Sequence, residues 1–137
     1  MKIILSLILV GILCFILVIT LTKKVITDDV ISLIVKESSL TNSGAIFILE
    51  NHTDTIYHYG TNYSIQKERF GIWFTLRPKN QPVFILMKYH LEAKESREIK
   101  IDWEYNYGKL TSGRYRFIKT MNPNSDSFLV GAEFIIE

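Results

Sequence analysis

The stretch Arg97-Glu98-Ile99-Lys100-Ile101-Asp102-Trp103 contains the clearest alternation of apolar and charged side chains in the chain. Successive side chains of a β-strand point to opposite faces, so Ile99, Ile101 and Trp103 share one face. Charged residues at 98, 100 and 102 occupy the other face. The pattern predicts a strand with one buried and one solvated face, and it places Trp103 in the core.

The same period of two recurs after residue 30, where β-branched and aromatic residues dominate and no long stretch follows helical spacing. We predict strands at residues 31–37, 45–51, 63–68, 72–76, 83–89, 97–103, 114–119 and 128–136. Both faces of the last strand are largely apolar, so we expect it to be central or covered. Turn signals about every 10 residues favour an all-β, antiparallel β-sandwich of seven to eight strands.

The N-terminus has a different character. Residues 3–22 form a run of 20 residues without a charge, between Lys2 and Lys23-Lys24. Twenty helical residues span about 30 Å, the thickness of the hydrocarbon core of a bilayer. We therefore predict one N-terminal transmembrane helix as a membrane anchor at residues 1–24, a linker at 25–30 and the domain at 31–137.

Two alternatives to an uncleaved anchor remain open. A cleaved secretory signal peptide would normally have a shorter apolar region, and Thr20-Leu21-Thr22 is a poor cleavage site. A lipoprotein signal would use Cys14, but the bulky Leu13 precedes it and apolar residues continue beyond it.

The charges that flank the apolar run give only weak information about its orientation in the membrane. Lys2 and the terminal amine lie on one flank, against Lys23, Lys24 and Lys36 on the other, and this count slightly favours a cytoplasmic domain. The layout of a very short tail before an apolar helix is that of a signal anchor. We expect a single-pass protein of the cell membrane with an extracytoplasmic domain, which would be secreted if the signal is cleaved.

Composition limits the function of the domain. Residues 25–137 carry 13 Lys and Arg against 14 Asp and Glu, so no basic face is implied and we expect no nucleic-acid partner. Cys14, the only cysteine, lies in the apolar run, so the domain has neither a disulfide nor thiol chemistry.

A second stretch carries a family resemblance. Tyr107-Gly108-Lys109-Leu110-Thr111-Ser112-Gly113-Arg114-Tyr115-Arg116-Phe117 combines a leucine, a turn ending in glycine and an aromatic residue that opens a strand. This is the layout of the penultimate strand of Ig-like sandwiches, where the tyrosine often forms a corner with the nearby backbone. With Ile101-Asp102-Trp103 upstream, the chain resembles the small bacterial Ig-like domains of extracytoplasmic Gram-positive proteins.

The resemblance extends from roughly Leu33 to the C-terminus. Weaker matches are Tyr59-Gly60, Tyr63-Ser64-Ile65-Gln66-Lys67, Gly71-Ile72-Trp73 and Ala132-Glu133-Phe134. The chain has Ala93-Lys94 where family members typically have Pro-Gly, and Ser112 where proline commonly precedes the glycine. The resemblance implies an exported domain with a binding or structural role and supplies no catalytic residues. Its structural motif comprises Trp103, Gly108, Leu110, Gly113 and Tyr115.

The sequence contains no convincing catalytic or metal site, and we predict neither an enzyme nor a cofactor. It has no serine in a nucleophile elbow, no glycine-rich loop before a helix and no cysteine–histidine pair in the domain. His52, Asp54 and His58 lack a fourth ligand at a convincing spacing. Asp102 and Glu104 fall on the predicted solvated face, where charged side chains are ordinary.

Aromatic residues form the one suggestive set, because tyrosine and tryptophan are favoured where a surface holds a sugar or a protein. The candidates for ligand-facing positions are Tyr57, Tyr59, Tyr63, Trp73, Tyr105 and Tyr107. We expect the partners to be the membrane and a protein or cell-wall component. Two other functions stay open: an inhibitor or immunity-type protein that uses a loop at 51–62 or 77–82, and a carbohydrate-binding module.

Overall fold

The structure is a computed structural model that describes residues 4, 8, 10, 25–26, 29–83, 85–122 and 125–137. The strands are β1 Val25–Ile26, β2 Ile31–Val35, β3 Gly44–Asn51, β4 Tyr57–Arg69, β5 Ile72–Thr75, β6 Tyr89–Leu91, β7 Ser96–Asp102, β8 Gly113–Met121 and β9 Phe128–Ile136. A 3-10 helix at Glu37–Ser39 and a four-residue helix α1 at Glu104–Tyr107 lie between the strands.

The strands form two sheets of unequal size. The large sheet has the order β1-β9-β8-β4-β5, with β6 paired to the other half of the β4 edge, and the small sheet has the order β2-β3-β7. All pairings are antiparallel except that of β1 with β9. Eight strands have three residues or more, so the predicted all-β sandwich is confirmed for the described residues.

Aromatic side chains from both sheets fill the core. Phe47 of the small sheet stacks on Phe117 of the large sheet with ring centroids 4.1 Å apart. Trp103 is fully buried, stacks on Phe134 at 5.5 Å and donates its indole N–H to the carbonyl of Asn42 at 2.8 Å. Ile99 and Ile101 pack against the same core, while Glu98, Lys100 and Asp102 are exposed. The alternation predicted for 97–103 is therefore confirmed.

Several strand boundaries differ from prediction. The strand predicted at 83–89 is wrong, because residues 83 and 85–88 lie outside regular structure and β6 starts only at Tyr89. The strand predicted at 63–68 begins six residues earlier, at Tyr57. Residues 57–62, placed in a candidate inhibitory loop, therefore belong to β4. The strand at 128–136 has the predicted bounds and lies between β1 and β8, as its two apolar faces indicated.

The predicted anchor at residues 1–24 lies almost entirely outside the described residues. Among the residues described, no helix has the length and apolar character required to cross a membrane. Val25 and Ile26, which the sequence pattern assigned to a linker, pair with Leu129 and Val130 at the start of β9.

The tyrosine corner predicted at Tyr115 is present. The Tyr115 ring is buried, and its hydroxyl donates to the carbonyl of Thr111 at 2.7 Å. Leu110, one position before Thr111, is also buried, and Gly108 and Gly113 have φ values of 74° and 156°. The corner therefore joins the turn before β8 to the core by a side-chain-to-backbone hydrogen bond.

Replacing Tyr115 with phenylalanine tests the energetic contribution of this corner. The change removes the hydroxyl and leaves the Thr111 carbonyl without its donor, so the free energy of unfolding should fall by about 1–2 kcal/mol. Urea melts of wild type and Tyr115→Phe would measure the loss, with the exposed Tyr105→Phe as the matched control. Equal stability of all three proteins would show that the corner hydrogen bond contributes nothing to folding.

Candidate functional site

The strand pairing of the large sheet defines the two ends of the sandwich. Val25 pairs with Leu129 at the beginning of β9, and we call this end the N-terminal pole. Near the other end of the sheet, Phe134 pairs with Tyr115 and Tyr115 pairs with Lys67, beyond which the β4–β5 hairpin continues. At about 3.3 Å per residue, the tip of the hairpin lies roughly 25 Å along the strands from Val25. We call this end the distal pole.

A strained, exposed phenylalanine forms the tip of the hairpin. Arg69 pairs with Ile72, so the turn contains only Phe70 and Gly71, with φ values of 54° and 75°. Such a turn needs two left-handed residues, and Asn-Gly is the sequence it favours. A bulky side chain at positive φ costs about 1–3 kcal/mol. Burial of the Phe70 side chain does not offset this cost, because its relative exposure is 102%.

The inner face of the hairpin adds to this apolar surface. Phe74 pairs with Lys67, whose ammonium lies 5.2 Å from the centroid of the buried Tyr115 ring, so Phe74 is on the side that faces the small sheet. Ile72 shares that side, and both side chains are half exposed. Together with Phe70 they form the surface that we call the hairpin tip.

The outer face of the hairpin combines Trp73 with two arginines. The guanidinium carbons of Arg116 and Arg114 lie 4.5 and 5.6 Å from the Trp73 ring centroid. Arg116 also donates two hydrogen bonds to Gln66 Oε1, and Arg114 forms ion pairs with Glu68 and Glu133. The carboxylate of Glu133 raises the pKa of Arg114, whereas partial burial lowers that of Arg116. These contacts hold Trp73 in one orientation.

A buried lysine lies inside the sandwich near the N-terminal pole. Lys119 is 2% exposed, and its ammonium donates to the carbonyls of Gly60 at 2.8 Å and Asn62 at 3.2 Å. Those carbonyls lie in an irregularity of β4, where the three residues between Tyr59 and Tyr63 oppose the single residue Thr120 of β8. No carboxylate of the described residues lies within ion-pair distance of Lys119. Burial lowers the pKa of its ammonium to about 8.

The Lys119 site adjoins a cleft of about 360 Å³ between the two sheets. Across it, Arg97 donates to the Tyr59 hydroxyl at 3.3 Å, and this hydrogen bond raises the pKa of Arg97. Arg97 also pairs with Glu95. Glu95 thus compensates the charge of Arg97 within the chain. Lys119 donates hydrogen bonds to carbonyls where the β4–β8 pairing is interrupted. We assign Lys119 a structural role.

The six aromatic candidates are distributed over the domain. Tyr59 and Tyr107 are buried, Tyr63 packs on Phe117 at 5.2 Å and Tyr57 packs on Phe128 at 5.8 Å. Trp73 on the hairpin is half-buried, as Tyr57 and Tyr63 are, whereas Tyr105 on α1 is exposed. A ligand-facing role for the set stays a prediction. Tyr105 is the one member of the set whose side chain is largely exposed.

Sequence reasoning missed Phe70, Ile72 and Phe74 as candidate contact residues. The signal was present in Phe70-Gly71, where a two-residue turn has phenylalanine in a position that favours asparagine. Within the described residues, no three His, Cys, Asp or Glu side chains are arranged to hold a metal ion. The chemistry available at the hairpin tip is non-covalent contact through aromatic and aliphatic groups with basic residues nearby.

The strand arrangement corresponds to that of Ig-like sandwiches, in which strands A, B and E face strands G, F and C. The family model described as "Bacterial Ig-like domain" matches residues 27–135. The chain belongs to the bacterial Ig-like domain family. No curated protein and no solved structure matches the chain.

This Ig-like domain keeps the turn geometry at a position where its residues differ from the family pattern. Lys94 stands where the resemblance predicts glycine, and its φ is 59°. Its backbone N–H donates to the carbonyl of Thr53 at 3.1 Å and its ammonium to that of His52 at 2.6 Å. These two hydrogen bonds hold the left-handed residue in place. Membership of this family supports, in general, a non-catalytic binding or structural function.

Replacing Phe70 with asparagine should stabilise the Ig-like domain. Asparagine adopts the left-handed conformation at lower cost and the exposed ring contributes no burial, so the free energy of unfolding should rise by about 1 kcal/mol. Urea melts would measure the gain. Phe70→Ala is the matched control, because it removes the ring and keeps the unfavourable turn. A loss of stability in both variants would mean that the ring supports the fold.

The buried Lys119 predicts a dependence of stability on pH. Its pKa is about 8 in the folded domain and 10.5 as the reference value, so the unfolded chain binds more protons between these two values. The free energy of unfolding should therefore rise with pH across this window, by about 3 kcal/mol when complete. Urea melts at several pH values should show this rise in wild type and in the exposed control Lys100→Met. An equal rise in Lys119→Met would exclude Lys119 as its source.

Proposed function

We propose that the chain is a membrane-tethered, extracytoplasmic Ig-like domain that binds a protein partner non-covalently through the hairpin tip at its distal pole. The observation that carries the proposal is Phe70, which is fully exposed at a positive φ of 54°. Unfavourable backbone conformations cluster at functional sites in folded proteins. An exposed aromatic at such a position is explained by a surface that covers it.

The chemistry of the hairpin favours a partner with an apolar recess and acidic surroundings. Phe70, Ile72 and Phe74 offer apolar surface. Between residues 66 and 80 there are four basic residues and one acidic residue. Aromatic residues in the centre of an interface and arginine beside them contribute most of the binding energy in many protein complexes.

The position of the hairpin agrees with a tether at the N-terminus. The apolar run ends three residues before Val25, and β1 starts at the pole opposite the hairpin. A domain that leaves the membrane at the N-terminal pole would direct Phe70 away from the bilayer. A partner in the cell envelope could then reach the tip without obstruction by lipid.

The exposed Phe70 at the tip of the hairpin also favours an inhibitor or immunity-type protein as a second candidate function. A two-residue turn with an apolar tip is narrow enough to enter the cleft of a secreted enzyme or toxin. In that case the partner of Phe70 would be an enzyme or toxin, and binding would abolish its activity. The six aromatic candidates do not form one continuous platform, so the hairpin is a stronger candidate for contact than a sugar-binding surface.

Photo-cross-linking in the native host tests the partner site. A photoreactive phenylalanine analogue at Ile72 should give an adduct of discrete mass, and Phe70→Asn in the same protein should weaken it several-fold because the aromatic anchor is lost. The same analogue at Asp54, an exposed residue of the N-terminal pole, is the positional control. An identical adduct at both positions, or none at Ile72, would contradict the proposal.

Protease treatment of intact protoplasts tests the tether separately. Protease should remove residues 25–137 from intact protoplasts. A domain that resists digestion until the membrane is broken would have the opposite orientation. Protein free in the medium that begins near Val25 would identify residues 1–24 as a cleaved signal.

A further inference from the structure

The loop between β5 and β6 exposes a second set of apolar side chains. Val83, Ile85, Leu86 and Met87 are all substantially exposed, and we call these four residues the apolar loop. Leu86 has the greatest relative exposure of the four, 103%. Single exposed apolar residues are common, but a contiguous group marks a contact surface.

Hydrogen bonds hold this loop in a defined shape. The N–H of Met87 donates to the carbonyl of Ile85 at 2.7 Å, which closes a tight turn centred on Leu86. The hydroxyl of Thr61 donates to the same carbonyl at 2.9 Å and fastens the loop to β4. Leu86 is therefore the outermost residue of a turn fixed to the large sheet.

The apolar loop lies at the same level of the large sheet as Val25. Ile85, Leu86 and Met87 line a hollow of about 400 Å³ together with Thr120 of β8. Thr120 pairs with Leu129 of β9, and Leu129 pairs with Val25. Three strand spacings of about 4.8 Å separate β1 from β4 across the sheet. The loop thus flanks the place where the chain enters the domain.

The length of the chain before Val25 identifies what can cover the loop. The apolar run ends at Thr22, so two residues, Lys23 and Lys24, lie between it and Val25. The three Cα-to-Cα steps from Thr22 to Val25 span at most about 11 Å. If the run crosses the bilayer, which is part of the proposed function, the membrane surface is within that distance of Val25. Leu86 is then within reach of the interfacial region of the lipid.

We propose that the apolar loop rests in the interfacial region of the bilayer beside the anchor. Leu86 and its apolar neighbours would enter the boundary between headgroups and acyl chains, where such side chains bind. Lys88 follows the loop directly and joins Lys23 and Lys24 as groups that attract anionic headgroups. A second membrane contact beside the anchor fixes the tilt of the domain and keeps the hairpin tip directed outward.

A fluorescent probe at Leu86 in the full-length chain tests the proposal. In a Cys14→Ser background, Leu86→Cys carries an environment-sensitive nitrobenzoxadiazole label, and the protein is reconstituted into phosphatidylcholine–phosphatidylglycerol vesicles. The probe should emit at shorter wavelength than in water. Lipids with a nitroxide near the headgroup should reduce its emission by about twofold or more, because the loop lies at the interface. Ser38→Cys, an exposed position on the 3-10 helix, is the matched control and should be unaffected.

Vesicle flotation in the same preparation separates the proposal from the tether. If the protein floats but the Leu86 probe responds like the Ser38 probe, the membrane contact of the loop is wrong and the anchor stands. If the emission shifts without quenching by the lipid nitroxide, the chain itself or a second copy covers the loop, and the proposal is overturned. Failure to float would overturn the anchor and the loop contact together.

Discussion

The unequal size of the two sheets is the constraint from which the exposed surfaces of this domain follow. Three strands cannot cover six, so the small sheet buries the middle of the large one and leaves its margin open. Phe47 covers Phe117 at 4.1 Å in the centre. Ile72 and Phe74 at the edge stay half exposed. The hairpin thus projects from a sandwich whose stability comes from other residues, and its tip can be selected for binding.

The centre of the sandwich shows how few contacts define the packing of the sheets. Trp103 follows β7 directly, stacks on Phe134 of β9 and donates a hydrogen bond to the Asn42 carbonyl before β3. Tyr115 stacks on the same phenylalanine at 5.7 Å and closes the corner through Thr111. These aromatic residues connect both sheets and two turns, and buried aromatic packing of this kind contributes most of the hydrophobic stabilisation in a small sandwich. The aromatic core therefore extends through the distal half of the domain to Tyr115, which pairs with Lys67 of the hairpin.

The N-terminal half is organised differently. The irregularity in β4 leaves the carbonyls of Gly60 and Asn62 without strand partners, and Lys119 supplies the missing donors at the cost of burying a charge. The same irregularity provides Thr61, which fastens the apolar loop. One disruption of the sheet therefore accounts both for a buried ammonium and for an exposed hydrophobic turn. The two poles are thus suited to different surroundings, with lipid proposed at one and a protein partner at the other.

The sequence by itself predicted the features that depend on neighbouring residues. The alternation at 97–103 predicted the inward face of β7 and the burial of Trp103, because the period of a strand is local. The spacing from Leu110 to Tyr115 predicted the corner, since the hydroxyl bonds only four residues upstream. The apolar pattern of 128–136 predicted a central or covered strand for the same local reason.

Tertiary structure alone decided the features that depend on pairing and coverage. Residues 83–89 have strand composition, but residues 85–87 lie beside the β4 irregularity, where regular pairing is interrupted. Lys119 lies at an inward-facing position of β8. The pattern of charges in the sequence does not predict its burial, because its hydrogen-bond partners are carbonyls nearly 60 residues away in sequence. The exposure of Phe70 depends on how far β4 and β5 extend beyond the small sheet. Local sequence specifies which face a side chain takes, whereas the relative size and pairing of the two sheets determine what covers that face.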